Sequence, residues 1–310
     1  MSARWAAGVA LALGLALATA GCESMNAPAA PTVTPQQTTF EAPLEGATSA
    51  DVTIGSLVSD VSIEPLDPSS PLLVVAEIGY IGQLTTTSEG AEHKTVVIQD
   101  ELNSYSYNGP ALAFDIALNR LPAVGLNVTA SSGSVNLNLG AFNLNRLDIS
   151  TASGAVEAQL PAGSGPYPVN VTTASGDVTF RLADSAAVQF ESISTSSGNV
   201  RITSGEGGVI AGTQVGSSSG SITFVFRGEV NAGFRVSTSS GDITVEAPAD
   251  VPVRLEIVSN ASGEVTVRSD MTQIQGEGDL GIWESAGYNE EGAHVLIVVT
   301  STASGDVFIR

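Results

Sequence analysis

From residue 126 onward the chain alternates apolar and polar residues in short runs that break at a Ser-Gly pair. Val169, Val171 and Thr173 alternate before Gly176, and Val178, Phe180 and Leu182 alternate after it. Phe234, Val236 and Thr238 precede Gly241, which Ile243 and Val245 follow; Leu255 and Ile257 precede Gly263, which Val265 and Val267 follow. Alternation with period two places one face inward and one outward, which predicts pairs of short strands joined by a tight corner. Past the first 21 residues no stretch carries helical periodicity.

The corner recurs at Gly133, Gly154, Gly176, Gly198, Gly220, Gly241, Gly263 and Gly305. Successive glycines lie 21, 22, 22, 22, 21 and 22 residues apart, and the last gap of 42 is expected to hold two periods with a degenerate middle copy. A fixed period of this size marks a stacked repeat. The predicted fold is all-β: a single-stranded parallel β-helix or β-solenoid with coils of about 21–22 residues. Each coil advances about 4.8 Å along the axis and pairs its strands in parallel with its neighbours. Thr and Ser before each glycine suit a corner whose amides need hydroxyl partners, and glycine is expected there for its conformational freedom.

Residues 46–310 are expected to form this solenoid, with 126–310 regular and 46–125 supplying irregular first coils and a cap. In 46–125 the segments Ala50–Ile54 and Val58–Ile63 read as a degenerate copy that has lost its glycine, and Leu72–Ile78 and Lys94–Ile98 as further strands. The segment Met271–Glu291, with Trp283 and Tyr288, interrupts the last period. Because an exposed terminal edge invites pairing with other chains, this segment is expected to cover it; the alternative is a recognition loop.

Residues 1–21 read as a signal peptide: Arg4, an apolar run from Ala7 to Ala18, then the small residues Thr19-Ala20-Gly21. The run is shorter than the ~20 residues that span a bilayer. Cys22, the only cysteine, stands where a lipidated thiol is expected, and acyl chains there would anchor the mature chain without a spanning helix. Residues 22–45, with several prolines, are expected to be a disordered tether. Thr19-Ala20-Gly21-Cys22 resembles a lipobox. Glu23 after the cysteine implies, by the same resemblance, the outer membrane of a Gram-negative cell envelope.

The Ser-Gly repeats resemble a bacterial adhesin-like β-strand-repeat family of unknown function. Residues 118–161, through Leu126-Asn127-Val128 with Ser132-Gly133 and Leu144–Ile149 with Ser153-Gly154, are similar to toast-rack envelope domains. The resemblance implies fold more than function, because its motifs are structural, and it brings no catalytic residues.

Composition narrows the function. Only 14% of residues are charged, yet the net charge is −21 and Lys94 is the single lysine. No basic stripe exists to release phosphate counterions, so nucleic acid is excluded as a partner. The residues after each corner glycine form a column of Ser134, Ala155, Asp177, Asn199, Ser221, Asp242, Glu264 and Asp306. Its carboxylates could meet Ca²⁺, but polar turn residues facing water are the expected reading, and neither a metal nor a cofactor is predicted. Glu246 and Arg268 are expected to be vertical neighbours able to pair. His93 and His294 stand far apart without a companion motif, and no catalytic constellation is legible. The expected function is therefore non-enzymatic: an envelope lipoprotein presenting a β-solenoid surface for adhesion or structural interaction with a glycan or envelope protein. The alternative is an envelope-stress or regulatory accessory acting through protein contacts. A polysaccharide-active β-helix enzyme ranks third.

Overall fold

The computed structural model describes residues 34–101, 107, 109–163 and 165–310. The segment expected to be a signal peptide, residues 1–21, and Cys22 lie outside these residues. The described chain is all-β, with 25 strands in two sheets of 12 and 13 strands.

The first strands are β1 (Gln36–Pro43), β2 (Ser49–Ser56), β3 (Ser59–Leu66), β4 (Leu72–Tyr80), β5 (Gln83–Glu89), β6 (His93–Glu101) and β7 (Leu112–Asn119). The regular region opens with β8 (Ala123–Ala130), β9 (Val135–Asn138), β10 (Asn143–Thr151), β11 (Val156–Leu160), β12 (Tyr167–Thr173) and β13 (Val178–Leu182). It continues with β14 (Ala187–Thr195), β15 (Val200–Thr203), β16 (Val209–Ser217), β17 (Ile222–Val225), β18 (Asn231–Thr238) and β19 (Ile243–Glu246). The end comprises β20 (Val253–Ile257), β21 (Val265–Thr266), β22 (Met271–Glu277), β23 (Leu280–Ser285), β24 (His294–Ser301) and β25 (Val307–Ile309).

Each regular coil gives the strand before its Ser-Gly corner to the 13-stranded sheet and the strand after it to the 12-stranded sheet. Coils stack in parallel with like residues in register: Ile149 beside Val171, Val156 beside Val178, Leu160 beside Leu182. The inward residues fill one continuous core between the sheets. The coil of β12 and β13 buries Val169, Val171, Val178 and Phe180 completely. Those four side chains contribute on the order of 10 kcal/mol. Ordering one coil's backbone costs about 20–40 kcal/mol, so a coil persists only against its neighbours.

Glycine also shapes the core. Gly212 of β16 lies in register between Phe190 and Phe234. A Cβ there would enter the Phe234 ring. The vacancy lets the two rings approach to 6.3 Å, while Phe234 also packs at 4.5 Å on Phe224.

Neither end stacks in sequence order. At the C-terminal end the spatial order is β19, β25, β21 in one sheet and β18, β24, β20 in the other. The last coil, with Gly305, is therefore inserted between the Gly241 coil and the Gly263 coil. The expected degenerate middle copy is absent from the described residues. In its place β22 and β23 form a hairpin whose β23 pairs antiparallel with β20. Trp283 and Met271 from this hairpin close the core and are buried. Skipping one level is inexpensive, because a neighbouring coil lies only about 4.8 Å away.

The N-terminal end mirrors this arrangement. The coil of β2 and β3 sits between the β8–β9 coil and the coil of β6 and β7. Outside them lie β5 on one sheet and β4 then β1 on the other, each antiparallel to its neighbour. The tether expected for 22–45 thus ends early. Residues 36–43 form β1, because Phe40 and Ala42 turn toward the core.

Candidate interaction surfaces

The eight corner glycines occupy equivalent positions, and the structure changes the reason for them. None adopts positive φ. Instead, a Cβ on Gly154, Gly176, Gly198, Gly220 or Gly241 would overlap the carbonyl oxygen of the preceding corner glycine. Gly305 meets Gly241 and Gly263 meets Gly305 in the same way, following the inserted order, and Gly133 meets Ser59. The requirement is close approach between coils rather than backbone conformation.

Three residues before six of the eight glycines stands a buried hydroxyl; Ala130 precedes Gly133 and Asn260 precedes Gly263. Thr173, Thr195, Ser217 and Thr238 each accept the N–H of their own corner glycine at 2.8–3.0 Å. Asn260 does the same through its amide oxygen at 2.9 Å. In the coil of β6 this level belongs to Asp100, since Gly55 lies beside Gln99 and Ser56 follows. One oxygen of Asp100 accepts the Leu57 N–H at 2.8 Å, and the other is buried with no partner among the described residues. Burial pushes this carboxyl up to about 6.

The column after each glycine is a second ladder. Asp177 accepts the Asn199 N–H (2.7 Å), Asn199 accepts that of Ser221 (2.9 Å), and Ser221 accepts that of Asp242 (3.2 Å). Asp242 then accepts the Asp306 N–H (3.0 Å), and Asp306 that of Glu264 (2.8 Å). These side chains therefore satisfy the next coil's backbone as well as facing water. Among the described residues no group of three or more His, Cys, Asp or Glu converges to hold a metal.

The proposed Glu246–Arg268 pair does not form. β19 neighbours β25, so Arg310 follows Ile309 into the place beside Glu246. Arg268 instead binds Asp270 and the carbonyls of Ala247, Pro248 and Val251, fastening the turn that leads into the outermost coil.

What remains outward is mainly polar, with isolated exposed apolar residues such as Val209 and Val258. On the 12-stranded sheet Arg181 pairs with Glu157, whereas Arg201 on β15 and Arg227 just past β17 are exposed without an ion pair among the described residues. A groove of about 550 Å³ runs along Arg181, Asp184, Thr203, Glu206 and Arg227, floored by Gly205. On the 13-stranded sheet a groove of about 340 Å³ is lined by Ser194, Gln214, Gly216, Ser237 and Ser301.

Strand pairing also builds a network that sequence reasoning missed. His93 of β6 lies between Ser49 Oγ (2.8 Å) and Asp51 Oδ2 (3.0 Å) of β2. The order of hydroxyl, imidazole and carboxylate is that of acyl transfer. Here, however, His93 is 53% exposed on a flat strand face. Open water removes the low dielectric that makes such a relay effective. Ser49 and Asp51 lie more than 40 residues from His93, so only the β2–β6 pairing could reveal them.

A family model described as Toastrack DUF4097 matches residues 125–310. Two solved structures are similar. One is a candidate cell adhesion protein from Clostridium sporogenes, 12% identical with a TM-score of 0.38, covering 89% of this chain and 99% of that one. The other is a candidate lipid binding protein from Parabacteroides distasonis, 19% identical with a TM-score of 0.43, covering 89% and 96% respectively. No curated protein matches the sequence.

Proposed function

The chain belongs to the Toastrack DUF4097 family, and from that premise we propose that it is a lipid-anchored envelope protein whose outer sheet faces make adhesive or structural contacts without turnover. The observation that carries this reading is the build of those faces. Polar side chains repeat in register from coil to coil, the grooves between them are open, and the side chains at the corners are already engaged with the next coil's backbone. A surface of this kind suits an extended partner held by many weak contacts better than a small molecule enclosed in a pocket.

Arg201 and Arg227 are two of the exposed arginines without an ion pair among the described residues, and they can meet an acidic glycan or an acidic protein surface in a chain whose net charge is −21. Export and lipidation at Cys22 rest on the signal-like N-terminus. The membrane is then one partner, and a neighbouring envelope glycan or protein the other.

Two measurements test the proposal. Metabolic labelling with a fatty-acid analogue should mark the wild-type chain and not Cys22→Ala; equal labelling of both removes the anchor. Retention of the purified chain on whole cells and on isolated envelope glycan should fall several-fold in Arg201→Glu/Arg227→Glu. Unchanged retention, or turnover of the glycan, overturns the proposed use of this face.

A further inference from the structure

We propose that the N-terminal pole of the solenoid binds a second copy of this chain, with β1 of each copy pairing in parallel with β5 of the other. The two poles are finished differently. At the C-terminal pole Trp283 and Met271 plug the core. The outermost strand there, β22, is broken by a bulge at Ile274 and by Gly276 at φ 102°, and acids follow at Glu277 and Asp279. Bulges and charges are the means by which sheet edges avoid further pairing.

At the N-terminal pole such devices stand only at the strand ends, Glu41 with the bulge at Ala42/Pro43 on β1 and Glu89 on β5. β5 pairs with β6 without a register shift from Gln83 to Glu89, and β1 pairs evenly with β4 until Ala42. Gln36–Phe40 and Gln83–Ser88 carry no charge, although the chain as a whole carries −21. The core is only partly closed here: Phe40, Tyr80 and Leu84 are partly buried, and Ser88 Oγ is buried with no partner among the described residues.

Topology selects the occupant. Beyond the shared coil of β2 and β3, one sheet adds β7, β4 and β1, while the other adds only β6 and β5. The pole is therefore a step one strand high, about 4.8 Å. β1 stands proud, and a notch lies above β5. A two-fold axis parallel to the strands seats each β1 in the other copy's notch and completes both sheets at once. β1 runs in the direction of β3, and β5 runs opposite to β2. Because β2 and β3 are the outgoing and returning halves of one coil, β1 and β5 run alike, and this axis pairs them in parallel. The other possible axis, normal to the sheets, would join β1 to β1 but leave two strands missing from the second sheet. The contact is isologous, as a closed dimer requires.

The test uses the full chain carrying Cys22→Ser, so that no native thiol competes. Sedimentation equilibrium should show a monomer–dimer equilibrium. Thr39→Cys and Thr87→Cys lie on the outward faces of β1 and β5. A mixture of these two single variants should cross-link to dimer with a short bismaleimide, and neither should cross-link alone. Thr39→Lys should weaken dimerisation at least tenfold while circular dichroism and the melting of the dilute chain stay unchanged. Gln275→Lys at the opposite pole should leave the dimer intact. A monomer at every concentration overturns the proposal, as does self-cross-linking of either single variant. A monomer whose Thr39→Cys thiol resists maleimide would assign the pole to a different occupant and equally overturn it.

Discussion

Replacing Gly198 with alanine isolates the force that spaces the coils. The new Cβ would overlap the carbonyl oxygen of Gly176 and lie 2.9 Å from Thr195 Oγ1. Neither group can rotate away, since one is backbone and the other holds the Gly198 N–H. The coils must part locally, and three inter-coil bonds flank the site. They are Ser197 N–H to Ala174 O (3.1 Å), Asn199 N–H to Asp177 Oδ1 (2.7 Å) and Val178 N–H to Asn199 O (2.8 Å). At about 1 kcal/mol each, their loss costs about 3 kcal/mol. Restricting the unfolded chain by Gly→Ala returns about 0.4–1 kcal/mol. The net destabilisation is about 2 kcal/mol, or roughly thirtyfold in the folding equilibrium. Gly233→Ala is the control, because a Cβ there meets nothing within 4 Å; it should be neutral or slightly stabilising. Urea titration followed by circular dichroism measures both through the midpoint at constant slope. Equal midpoints for Gly198→Ala and Gly233→Ala would refute close approach as the reason for the corner glycines.

Thr195→Val should cost about 1–3 kcal/mol by leaving the buried Gly198 N–H unpaired, while Thr195→Ser should recover most of it, read by the same titration. Gly212→Ala should destabilise by about 1–3 kcal/mol through overpacking against Phe234, and near-ultraviolet circular dichroism should report the displaced rings. The carboxyl of Asp100 is raised to about 6 in the folded chain from an ordinary 3.8, so the folded state binds the proton more tightly. Its ionisation opposes folding: the stability this group allows is complete only below about 3.8 and is lost as pH rises from there through about 6, by at most about 3 kcal/mol. Asp100→Asn should flatten that decline, seen as a smaller difference between urea midpoints at pH 4.5 and 7.5 than in the wild type.

The alternation around Ser-Gly marks and the 21–22-residue spacing are local properties, so the strand pairs, the corners and the inward columns such as Val156, Val178 and Val200 were legible in the residue pattern. It also determined that Thr195 and its equivalents would serve corner amides, since donor and acceptor lie three residues apart. Stacking order was not legible. Every coil offers nearly the same edge, so the pattern cannot say that Gly305 lies between Gly241 and Gly263, or that β2 and β3 lie inside β6 and β7. Connection length and the need to close the core decide that, and they act only once the chain is folded. The same holds for the surface. Gly198 looked like a residue chosen for backbone freedom until the neighbouring coil's carbonyl was in place, and His93 looked solitary until β6 paired with β2. Contacts between coils join residues twenty or more positions apart, and for that reason tertiary structure alone assigned what each repeated residue touches.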